Sequence, residues 1–145
     1  MKKFGASLFL TITLVANTVF GISSEEIQEA YYKSYIYEQL QDNSTAIDAL
    51  ATVAEEYPNG YTVNLRLAWL HYLNKNYANS LQHYSQAMKA SPNSIEAKLG
   101  YTYPLLAQDK YDHVENIVNK ILQTDYYNSY ANLTLVYALR QQGKL

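Results

Sequence analysis

From Ile27 onward, apolar residues return every three or four positions, the spacing of one buried face of a helix. Val63, Leu67, Leu70 and His71 follow this spacing, and so do Leu81, Tyr84, Ala87 and Met88. The polar run Asn74-Lys75-Asn76 separates the two as a turn. Alternating strand patterns are absent, and Asn59-Gly60 falls between two helical runs instead of two strands. Ser23 followed by Glu26 makes a capping box ahead of the first helix, and Asn93-Ser94 offers a later cap. The pattern predicts an all-α chain of antiparallel helix pairs.

The pairs recur. Pro58-Asn59-Gly60 and Pro92-Asn93-Ser94 lie 34 residues apart, as do Tyr77 and Tyr111. The repeats run 27–60, 61–94 and 95–128, with a half-repeat at 129–145. One helix pair cannot bury both of its apolar faces, so about three units must stack before a continuous core forms.

In the second unit, Leu67 and the small Ala68 lie in the first helix, and Tyr77 opens the second, followed by Ser80, Tyr84, Ala87 and Pro92. The first unit supplies Ser34, Tyr37, Ala46, Leu50 and Pro58, with Lys33 at a usual Leu position; the third supplies Thr102 and Tyr111. This pattern resembles the tetratricopeptide repeat over about residues 27–145. The resemblance implies a right-handed α-solenoid of about 3.5 repeats. The third unit departs from it at Val114, where a small residue is usual, and at Tyr126 in place of the terminal Pro. Val114 is expected to push its helix pair apart or to require a smaller neighbour.

Tyr35, Trp69, Tyr103 and Tyr137 form a single column at 34-residue spacing. In the family, the first helix of each repeat lines a concave groove. Carried over by position, the groove displays Tyr31, Tyr35 and Glu38, then Leu65, Trp69 and Tyr72, then Leu99 and Tyr103, and finally Tyr130, Leu133, Tyr137 and Arg140. Family members that clamp a peptide carboxylate have Asn with nearby Lys and Arg at the column position. Here there are rings, and Arg140 is the only basic groove residue expected. The column has three readings: packing between adjacent repeats, a surface for an apolar, Pro-rich peptide or protein segment, or both at once. The same rings would also suit a stacked carbohydrate.

Pro104 falls inside the first helix of the third unit, four residues after Gly100. An internal Pro removes a donor and clashes with the carbonyl four residues back. Gly100 is expected to leave room for a kink; the alternative is a helix that ends and restarts.

The first residues carry a different message. Lys2 and Lys3 precede an apolar stretch, and Val19-Phe20-Gly21 closes it in the order of a secretory signal peptide over 1–21. Thr11, Thr13, Asn17 and Thr18 make the stretch too polar and short for a comfortable membrane span. Cleavage would start the mature chain at Ile22 and place domain 22–145 in the bacterial periplasm or outside the cell. No integral span is expected after cleavage.

Composition narrows the function. The 145 residues include 16 Tyr and no Cys, with a net charge of −2. Absence of Cys excludes disulfides and thiolate chemistry. The charge gives no basic field for nucleic acid. His71, His83 and His113 have no metal-ligand spacing, and His71 reads as a packed histidine. No catalytic constellation and no cofactor motif is found, so a non-catalytic interaction scaffold is expected. The last helix, about Ser129 to Gln141, carries Leu133, Leu135, Val136, Ala138 and Leu139, too apolar for a solvated cap. Gly143-Lys144-Leu145 resembles a turn into a further helix. That face predicts self-association or pairing with a further module of a longer protein.

Overall fold

The computed structural model describes residues 21–145. The signal-peptide reading falls on the preceding residues and lies outside the described part. Among the described residues there are helices and no strands: α1 (Ser24–Gln39), α2 (Asn43–Asp48), α3 (Ala51–Glu56), α4 (Tyr61–Leu73), α5 (Tyr77–Ala90), α6 (Ile95–Leu106), α7 (Tyr111–Thr124) and α8 (Ser129–Gln141). No described helix is long and apolar enough to cross a membrane.

Local chemistry sets most of the starts. Ser23 and Glu26 form the expected capping box on α1: Glu26 N–H donates to Ser23 Oγ at 3.2 Å, and Ser23 N–H donates to Glu26 Oε2 at 2.8 Å. Asp42, Asn76, Ser94 and Asn128 cap α2, α5, α6 and α8 through their side chains. The second helix of the first repeat comes in two pieces. Leu50 N–H donates to the carbonyl of Ile47, a tight three-residue step, before Ala54 resumes with the carbonyl of Leu50. Thr45, Ile47, Thr52 and Val53 give this stretch weak helix propensity, while the fully buried Leu50 anchors the break in the core.

The ends repeat as regularly as the sequence does. Gln41, Lys75 and Asp109 have φ of 61°, 58° and 56°, and Gly143 has 67°. Each is followed by a residue whose N–H reaches back five positions: Asp42 to Tyr37, Asn76 to His71, Lys110 to Leu105 and Lys144 to Leu139, at 2.8–3.0 Å. These are Schellman endings, in which one left-handed residue reverses the chain. They fold α4 onto α5 and α6 onto α7 as antiparallel pairs, and α8 packs on α7. The first helices α4, α6 and α8 also touch in succession. The architecture is a solenoid of helix pairs.

Its core has two centres. Leu50, Val53, Val63, Leu67 and Leu70 form one, and Leu105, Val114, Val118, Ile121, Ala131 and Ala138 the other. Between them, Ala68 and Ser80 are fully buried, and Ser80 Oγ donates to the Ala68 carbonyl at 2.8 Å. Val114, 34 residues after Ser80, lacks that hydroxyl and joins the second apolar centre instead. Its neighbourhood contains no smaller substitute at the Ala68 position, since Thr102 stands there and is buried.

At Gly100 and Pro104 the alternative of a helix that ends and restarts is excluded. Helix α6 runs unbroken through Pro104, which is its tenth residue of twelve and is buried. Gly100 is explained by a neighbour. A Cβ there would stand 2.6 Å from Cζ of Tyr84 and 2.9 Å from its hydroxyl oxygen. The missing side chain admits the Tyr84 ring of α5 against the α6 backbone.

Candidate functional site

Two adjoining pockets open along the first helices. The larger, ≈520 Å³, is lined by Leu65, Trp69, Leu99, Tyr103, Gly100, Tyr84, Ile95, Glu96, Asn128 and Tyr130. The second, ≈370 Å³, is lined by Tyr31, Tyr35, Tyr61, Thr62, Leu65, Arg66, Trp69 and Glu96. They share Leu65, Trp69 and Glu96, which makes them one groove with Trp69 at the junction. Tyr31, Tyr35, Leu65, Trp69, Leu99 and Tyr103, expected at the groove from their register, therefore do meet there.

Trp69 is the centre of a ring cluster. It lies 5.5 Å from Tyr72 and 5.9 Å from Tyr103, the latter edge-on, and Tyr72 is 5.7 Å from Tyr103. These are the separations at which aromatic pairs attract beyond simple burial. Trp69 Nε1–H also donates to Glu38 Oε1 at 2.7 Å, which ties the second repeat to the first. The middle of the column thus packs between repeats while Tyr103 stays 39% exposed, so one set of rings both packs and faces solvent.

The ends of the column depart from it. Tyr35 is 52% exposed and reaches the cluster through a cation, not a ring: Arg66 lies 3.9 Å over its centroid. Tyr137 turns to Tyr111, 6.3 Å away, and with Leu133, Val136, Arg140 and Gln141 it lines a separate depression. Tyr137 and Arg140 therefore do not share the pocket of Trp69.

Arg66 is the residue that register missed. It is 8% exposed, donates through Nε to Ser34 Oγ at 3.0 Å, and forms an ion pair with Glu38. Its Nη2 has no hydrogen-bond partner. Arg140 is thus not the only basic residue beside the groove. The available signal was the pair of Glu38 with Arg66 in neighbouring first helices, together with a ring at Tyr35. Tyr84 was read as helix periodicity and as a repeat-pattern position, not as a groove residue, yet it is 2% exposed and floors the larger pocket, where burial pushes its hydroxyl pKa well up.

The histidines lie elsewhere. His71 and His83 stack with centroids 5.3 Å apart and planes 6° apart, and His83 Nδ1 is 2.9 Å from Asn64 Oδ1. His71 is half-buried at the helix interface, as a packed histidine should be.

Residues 30–60 and 63–94 match the tetratricopeptide repeat family. The matched segments are the first two helix pairs. The remainder, α6 to α8, repeats the same pairing and the same left-handed turn at the same spacing. Such repeats generally serve as protein–protein interaction modules and are typically non-catalytic. No curated protein matches the chain.

Proposed function

We propose that this chain, which matches the tetratricopeptide repeat over residues 30–60 and 63–94, is a non-catalytic scaffold of the bacterial cell envelope that holds a peptide or protein segment in the groove centred on Trp69. The supporting observation is the groove itself: a ≈520 Å³ opening walled by Trp69, Tyr103, Leu65 and Leu99, on a chain with protein-interaction repeats. Rings and aliphatic side chains of this kind bind partners with large contact area and few torsions to freeze. Export rests on Lys2, Lys3, the apolar run and Val19-Phe20-Gly21.

The test is capture from an envelope extract by the mature chain and by a Trp69→Ala/Tyr103→Ala variant, each with its circular dichroism and melting curve. Loss of the captured partner, by about 2 kcal/mol or more per anchor, with helicity retained supports the reading. Equal capture by both proteins counts against it. Mass spectrometry of the envelope protein should find a terminus at Ile22; an intact Met1 on a cytoplasmic protein would refute export.

A second reading has its own observation. On α8, Tyr130, Leu133, Val136 and Tyr137 are 71%, 68%, 47% and 49% exposed, forming an apolar face without a partner among the described residues. A second copy would cover it. Sedimentation of the mature chain should then show a dimer that Leu133→Glu disperses; a monomer at high concentration removes this reading.

A further inference from the structure

We infer that the segment held in the groove carries a cationic side chain, Lys or Arg, next to its apolar residues, and that Glu96 receives it. This rests on the groove being a polypeptide site. Glu96 lines both pockets and is exposed. Among the described residues it is the only charged one lining the larger pocket. Beside the smaller pocket the other charge is Arg66, which is buried and paired with Glu38. The pairing cancels Arg66 and leaves the groove with the unmatched charge of Glu96.

The carboxylate is held for the task. Tyr61 Oη–H donates to Glu96 Oε2 at 3.1 Å, while Tyr61 Oη also meets Ser94 Oγ at 2.8 Å. This fixes one oxygen of Glu96. Among the described residues nothing donates to the other, so it remains available to an ammonium or guanidinium. The rings add a second attraction. A cation over the face of a Tyr or Trp is stabilised by the ring quadrupole, and the groove wall already shows this chemistry where Arg66 covers Tyr35. An acidic segment would meet the opposite situation. Arg66 is shielded and paired, and Arg140 lies in the separate depression by Tyr137.

Trp69 is the only tryptophan, so its emission reports groove occupancy directly. Three acetylated, amidated peptides of one Leu- and Pro-rich sequence should be titrated into the mature chain, with Lys, norleucine or Glu at a single central position. All three should perturb Trp69 emission, with the Lys peptide binding about tenfold more tightly than the Glu peptide at low salt. Glu96→Gln should erase most of that difference and leave the norleucine peptide unchanged. Glu55→Gln, on the exposed surface of α3, should leave the preference intact. A Glu peptide that binds as well as the Lys peptide, or a preference that survives Glu96→Gln, overturns the inference while the groove reading stands. Failure of all three peptides to perturb Trp69 overturns both.

Discussion

The Tyr84 ring rests on the bare α-carbon of Gly100, where a Cβ would come within 2.6 Å of its Cζ. Gly100→Ala should therefore be destabilising although Ala is the better helix former. The helical gain is about 1 kcal/mol. Overpacking a rigid, 2% exposed ring at contacts under 3 Å falls in the upper part of the usual range, about 2–3 kcal/mol, so the net loss should be about 1–2 kcal/mol. Urea denaturation measures it. Because Tyr84 floors the pocket, Trp69 emission should shift as well. An unchanged or raised midpoint would show that α5 and α6 separate freely.

Arg66 should behave as half of a pair. Arg66→Met leaves Glu38 without its cation and Ser34 Oγ without its donor, and should cost about 3 kcal/mol. Glu38 is 24% exposed, which keeps the loss at the lower end of the range for broken buried pairs. Adding Glu38→Gln to that variant should recover part of the loss, because the charge is gone while the amide oxygen still accepts Trp69 Nε1–H. A double variant no more stable than Arg66→Met alone would place the cost in lost packing against Tyr35, not in the unpaired carboxylate.

How much of this was legible in the sequence follows from the range of each signal. The repeat is written in local terms: Ser23 with Glu26, Asn93-Ser94 ahead of α6 and the Asn74-Lys75-Asn76 turn act within one or two helical turns, and the helices appear where they predict. The groove was legible in register, since Leu65, Trp69, Leu99 and Tyr103 share a face by spacing alone. What the register could not carry was partnership across repeats. Arg66 falls one position from Leu65, and only the approach of α1 to α4 shows that it meets Glu38, Ser34 and Tyr35. Gly100 shows the same limit: Pro104 is its visible partner in the chain, whereas its close contact with Tyr84 exists only in space. The break at Leu50 had no punctuating Gly or Pro to announce it.

The left-handed turns offer a stabilising substitution. Lys75 holds φ of 58° with a Cβ, a conformation that costs a side-chain-bearing residue about 1–2 kcal/mol. Its side chain is exposed, and the turn itself is made by the backbone bonds to Tyr72 and from Asn76 to His71. Lys75→Gly should raise stability by about 0.5–1 kcal/mol, after allowing for the freer unfolded chain. A lower melting midpoint would mean that the Lys75 side chain contributes more than its strain.

Acid should loosen the second repeat through its stacked imidazoles. Asn64 Nδ2 donates to the carbonyls of Pro58 and Gly60 at 2.9 and 2.8 Å, which turns Oδ1 toward His83. His83 Nδ1 must then carry the proton in the neutral ring. Burial lowers the pKa of both His71 and His83 below the usual 6.5, and for His83 the nearness of His71 lowers it further. Above that pH both rings are neutral whether the chain is folded or unfolded, and they give no pH dependence. As the pH falls through about 6.5 the unfolded chain takes up protons first, so stability declines until the folded pKa values are passed. The slope cannot exceed about 1.4 kcal/mol per pH unit for each histidine, and their half-exposure keeps it smaller. Carboxylates also titrate at lower pH, so the comparison needs a reference. Urea midpoints at about pH 7.5 and about pH 5.5 should fall more for the wild type than for His71→Gln/His83→Gln, in which neither position can charge. Equal losses in the two proteins would show that the pair takes up protons as readily folded as unfolded, and that the stacking opens without cost.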